Sequence, residues 1–140
     1  MSYKYLDHEA DVGILAVGDS QSEAFADGAK AMFNVMVDIG GVDKSKQVDI
    51  ICKAESIDKL FVEWLNELIA QADINSMFFS DFKVEIAVVD DKFELSAIAF
   101  GEPIDQTKHK IKTEVKGATY YGLKYEEKEN KFYVQCVLDV

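Results

Sequence analysis

Apolar side chains recur along this chain with two periods, and the change of period divides it into elements. Phe25, Ala29, Met32, Phe33 and Met36 form one helical stripe opposite Glu23, Asp27, Lys30 and Asn34. Ahead of it, Ser20-Gln21-Ser22-Glu23 reads as a capping box, whose hydroxyl and carboxylate satisfy N–H groups that a helix start leaves unpaired. Gly40-Gly41 marks the expected end of that helix. A second helix is expected to begin after Ser56. Its Ile57, Leu60, Phe61, Trp64, Leu65, Leu68 and Ala72 give a wider apolar face, which predicts deeper burial than the first.

Elsewhere the period is two. Val48, Ile50, Cys52 and Ala54 share one face of a strand whose other face carries Asp49 and Lys53. Val84-Ile86-Val88 turns through Asp90-Asp91 into Phe93-Leu95-Ala97, a hairpin. A second hairpin joins Gly122–Glu126 to Lys131–Asp139 around Glu129-Asn130, with Phe132, Val134, Cys136 and Leu138 on one side. Tyr3–Leu6 and Val12–Val17 are further strand candidates, separated by the polar turn Asp7-His8-Glu9-Ala10-Asp11. Strands joined by tight hairpins and interleaved with two helices predict an α+β fold, a mixed, mainly antiparallel sheet packed with two long amphipathic helices.

Composition supports one domain over residues 1–140, because 49% of the 140 residues are hydrophobic and only one is proline. Fifteen Lys and Arg stand against 26 Asp and Glu, a net charge of −11. Such a field repels phosphate backbones, so non-specific nucleic-acid binding is not expected, and cations or a basic protein partner fit better. No basic leader followed by an apolar stretch and no long apolar run are present, so neither secretion nor a membrane is expected. Cys52 and Cys136 both alternate with polar positions inside strands and read as small core residues of a reduced, cytoplasmic protein.

Familiar catalytic signatures are absent: no phosphate-cradling glycine loop, no nucleophile elbow, no paired C-x-x-C, and only His8 and His109 as imidazoles. What remains is acidic. Asp7, His8 and Asp11 fall within five residues, and hard oxygen donors on a loop suit Ca²⁺ or Mg²⁺, although such residues also serve as turn formers. Asp139 and the terminal carboxylate of Val140 offer two more anionic groups, which complete an oxygen site if the last strand lies beside Asp11. Lys108, Lys110, Lys112 and Lys116 recur at even positions, as on one face of an edge strand. Lys116 differs in preceding the small residues Gly117 and Ala118, which would let a partner approach closely.

Asp7-His8-Glu9-Ala10-Asp11-Val12-Gly13-Ile14, the helix after Ser20, Val62-Glu63-Trp64-Leu65-Asn66-Glu67-Leu68, Lys116–Gly122 and the closing Asp139-Val140 together resemble the archease family. The resemblance spans essentially the whole chain. It implies a small acidic cofactor of the RtcB-type RNA ligase of tRNA splicing, which joins exon halves bearing a 2′,3′-cyclic phosphate or 3′-phosphate to a 5′-hydroxyl. The role implied is to promote guanylylation and turnover of the ligase through a transient contact, without being an enzyme. By position, Asp11, Asp139 and the carboxylate of Val140 match the family's cation ligands, with calcium foremost and magnesium or manganese as substitutes. Lys116 matches a functional lysine, and Asp7 and His8 would lie around the site. Glu9 stands where threonine is usual, and Tyr121 where histidine is common. Rival readings are a stand-alone metal-dependent hydrolase on the same carboxylates and a general chaperone for RNA-modifying enzymes.

Overall fold

The structure, a computed structural model, describes residues 2–6 and 11–140. The chain runs β1 (Ser2–Leu6), β2 (Asp11–Gly18), α1 (Gln21–Met36), β3 (Lys46–Ala54), α2 (Ile57–Asn75), β4 (Met77–Val89), β5 (Lys92–Pro103), β6 (Gly117–Lys128) and β7 (Lys131–Asp139). Every strand pairing among the described residues is antiparallel. The α+β layering is as the pattern predicts, but the strands divide between two sheets, ordered β1-β2-β7-β6 and β3-β5-β4. Both helices touch strands of both sheets, so one apolar core joins Ile14 and Leu138 of the first sheet to Ile50 and Leu95 of the second.

Local signals for the hairpins and helix starts are obeyed. Asp90 and Asp91 take φ of 51° and 65°, and Glu129 and Asn130 take 53° and 63°, the paired left-handed conformation that matches the twist of a two-residue hairpin. Ser20 accepts a hydrogen bond from the Glu23 N–H at 3.1 Å and caps α1. Cys52 and Cys136 are free, and burial pushes both thiols up to about 12.

Three expectations about the elements fail, and a fourth about one side chain, each for a tertiary reason. α1 ends at Met36, well short of Gly40-Gly41, which lie in a 3₁₀ turn over Ile39–Gly41. Its last carbonyls are taken by another segment: Val35 accepts from the Thr113 N–H and Met36 from the Lys112 N–H. The same contacts undo the lysine edge strand. Residues 104–116 cross the end of α1, with an isolated bridge between Val37 and Ile111, and Lys108 turns back to Asp43 and Glu102 at 2.8 Å each. Finally, α1 is the more buried helix, with eight of its 16 residues buried against seven of 19 in α2. Its small residues let it approach closely; a Cβ on Gly28 would stand 2.5 Å from the Phe61 ring.

Asp27 goes in with that face, although the stripe predicts it outside. It is 4% exposed, and its Oδ2 has no hydrogen-bond partner among the described residues. Burial raises the pKa of its carboxyl above the ordinary value. A carboxylate with a raised folded-state pKa penalises folding above that pKa, and the penalty fades as pH falls through it. Asp27→Asn is therefore expected to gain about 1 kcal/mol at neutral pH. Urea unfolding checks it, and a variant weaker than the parent would mean that Asp27 has a favourable partner.

Candidate functional site at one end of the four-stranded sheet

Three chain segments meet where β2 begins, β7 ends and β6 begins. Antiparallel register sets Asp11 opposite Asp139 and Val12 opposite Leu138. β6 continues the row, with Gly117 opposite Asp139 and Ala118 opposite Leu138. Directly opposed residues share a face. Buried Leu138 and Ala118 mark the core side, so Asp11 and Asp139 stand together on the other. Asp11 is half-buried and Asp139 exposed. Lys116, just ahead of β6, is tied to the same point, its N–H donating to the Asp139 carbonyl at 2.7 Å. Val140 comes next along the chain, half-buried, its side chain against the core. Asp7, His8 and Glu9 lie outside the described residues.

Like charges directly opposite one another destabilise a sheet. An oxygen-seeking cation at the Asp11/Asp139 pair would offset that repulsion, and two carboxylates are the donor type that calcium or magnesium takes. Among the described residues, no three His, Cys, Asp or Glu side chains are gathered to hold a metal. Any third oxygen from the described chain would therefore be other than a further carboxylate side chain: a backbone, amide, hydroxyl or terminal oxygen.

α2 supplies positioning that the sequence pattern did not assign. Asn66 meets the outer edge of β6 as a neighbouring strand would: its Oδ1 accepts from the Ala118 N–H at 2.8 Å, and its Nδ2 donates to the Ala118 carbonyl at 3.1 Å. Two residues earlier and on another side of the helix, Trp64 is fully buried and donates its indole N–H to the Phe25 carbonyl at 2.9 Å. Glu63 accepts from the Tyr120 hydroxyl at 2.8 Å, which pushes that phenol's pKa up. Tyr120 and Tyr121 sit where β6 bulges. Thr119 faces Val137 but Lys124 faces Gln135, so three extra residues loop out, with Gly122 at φ 68°.

His109 is a structural residue. Its buried ring accepts the Asp105 N–H at Nδ1 (3.0 Å), which assigns the ring proton to Nε2, facing Glu102 at 3.0 Å. Glu102 also pairs with Lys108 and accepts the Asp43 N–H at 2.6 Å. With the Lys108 bond contributing most, its pKa falls from 4.5 to about 2. A carboxylate with a depressed pKa stabilises the fold above its unfolded value, and that contribution is lost as pH falls from 4.5 towards 2. Glu102→Gln should melt lower than the parent at pH 7 and lose less on acidification across that window. Parallel melting curves against pH would show that Glu102 adds nothing.

The chain is thus a small acidic, antiparallel double-sheet domain with acidic residues opposed at one sheet end and a lysine tied beside them. The chain belongs to the archease family, whose model, described as the Archease protein family (MTH1598/TM1083), matches residues 3–140. It is 37% identical over 139 residues to the protein archease of Pyrococcus furiosus, covering 99% of this chain and 98% of that one. The solution structure of Methanobacterium thermoautotrophicum protein 1598 superposes with a TM-score of 0.88 at 31% identity, covering 99% of this chain and 98% of the other. The crystal structure of a Thermotoga maritima archease, named a possible chaperone, shares the fold at a TM-score of 0.58 and 18% identity over 98% and 96% of the two chains. No helix among the described residues is long and apolar enough to cross a membrane.

Proposed function

We propose that this chain is a cytoplasmic, non-catalytic activator of an RtcB-type tRNA-splicing RNA ligase. Asp11, Asp139 and the carboxylate of Val140 would hold a divalent cation, calcium foremost and magnesium or manganese as substitutes. The observation that carries the reading is the direct cross-strand opposition of Asp11 and Asp139, with Lys116 tied to the same strand end. When bound, the cation would supply charge neutralisation at the phosphates of guanylyl transfer. The chain's own part is to present the carboxylates, and to direct the Lys116 ammonium at a nucleotide phosphate or a ligase carboxylate. The contact is transient, since a turnover factor must leave. For the rival hydrolase, His109 offers no general base, because both its ring nitrogens are engaged and the ring is buried, which leaves that role to His8, outside the described residues.

The test is ligation by the cognate ligase at limiting concentration, with and without this chain, beside RNA and nucleotide turnover by the chain alone. Asp11→Asn and Asp139→Asn are each expected to lose cation binding and most of the stimulation. In metal-free buffer Asp139→Asn should melt at least as high as the parent, because it removes one of two opposed like charges. Full stimulation by the double variant would end the cation reading. Turnover by the chain alone would favour the hydrolase.

A further inference from the structure

Next to the carboxylate end of the sheet, a half-open cavity of about 520 Å³ lies between α2, the end of α1 and residues 104–116. Its walls are apolar, formed by Phe33, Met36, Ile69, Ala72, Met77 and Phe78. Ile104 and Ile111 also line it and are exposed. Asp73, Glu114 and Lys116 lie along the rim. We propose that this groove seats an apolar anchor, one or two leucine-sized or aromatic side chains, projecting from a basic surface of a partner protein.

This inference rests on the activator reading for the partner's identity but not for the groove's chemistry. Exposed isoleucines around an apolar hollow mark a contact surface, because water gains when they are covered. A desolvated centre within a polar rim is also the anatomy of a protein interface. The polar lining, Gln106 and Thr113 with the three charged rim residues, is exposed, and the buried part of the wall is apolar, which suits an apolar side chain better than a polar small molecule. Charge selects the partner. Lys116 offsets one of the two rim carboxylates, so the rim is only weakly acidic, but the field of a chain of net charge −11 favours lysines or arginines beside the anchor, and a second copy of the chain would bring the same charge against it. Lys116 is shared by the groove and the sheet end, so an anchor seated here brings the partner's surface up to Asp11 and Asp139.

Two arms test it. In the first, affinity for the cognate ligase is measured for Asp73→Lys and Ile111→Asp, both at exposed positions where folding should survive. Ile51→Asp, on the outer face of the three-stranded sheet, is the control. Each groove variant is expected to bind at least about tenfold more weakly, and the control as the parent does. Parent-like binding by both groove variants overturns the proposal while leaving the activator reading standing. The second arm needs no ligase: isotope-labelled chain is titrated with short helical peptides carrying a Leu-Phe or Trp anchor flanked by lysines or by glutamates. Shifts are expected at the groove residues, with tighter binding for the lysine-flanked set. Shifts elsewhere, none at all, or a preference for glutamate flanks overturn the proposal. If the parent fails to bind the ligase, the activator reading falls, and the peptides alone decide the groove.

Discussion

Lys116→Ala is expected to fold as the parent does, to keep its cation and to lose most of the stimulation of ligase guanylylation. The contact that anchors this position is made by its backbone N–H to Asp139, and alanine retains it. The side chain is exposed, and truncating such a group changes stability by no more than about 0.5 kcal/mol. An ammonium is no metal ligand, so the Asp11/Asp139 pair keeps its donors. Lys110→Ala is the matched control. Its carbonyl accepts from the Asp38 N–H, again a backbone contact that survives, and it removes the same charge from the same segment. At equal ionic strength the pair separates a positioned ammonium from a loss of positive field, which salt would screen. Full stimulation by both variants would leave the carboxylates to explain activation alone.

The largest expected effect on stability belongs to Trp64. Its indole is fully buried, stands edge-on to Phe82 with ring centroids 5.8 Å apart, and donates to a carbonyl of α1. Truncation to alanine removes the largest core side chain and leaves a hole that the two sheets can only partly close, a loss of about 4 kcal/mol. For a domain of this size that lowers the melting temperature by roughly 10–15 °C. Trp64→Phe keeps most of the apolar volume and should cost well under half as much. Urea midpoints of the three proteins measure it, and a loss below about 1 kcal/mol for the alanine variant would show that the core closes over the site. The tryptophan of the Val62–Leu68 motif therefore belongs to the core, whereas Asn66 of the same motif reaches the edge of β6 beside Lys116.

What the sequence by itself determined is whatever depends on near neighbours. Ser20 and Glu23 start α1 because a capping hydroxyl needs only the next turn. Asp90-Asp91 and Glu129-Asn130 close their hairpins because two left-handed residues suffice. The acidic residues at the two ends of the chain were recognisable as oxygen donors by type. Only the tertiary structure decided that Asp11 and Asp139 stand opposite each other, since that follows from β2 pairing with β7 across nearly the whole chain. It alone decided that α1 stops at Met36, because the carbonyls that would have continued the helix are taken by residues 112 and 113. Asp27 went inward for a related reason: periodicity ranks the faces of a helix by polarity, but α1 is packed by strands of both sheets and keeps too little free surface for every polar residue. The division into two sheets, the bulge carrying Tyr120 and Tyr121, and the Asn66 contact with β6 are likewise products of long-range pairing, on which no local period reports.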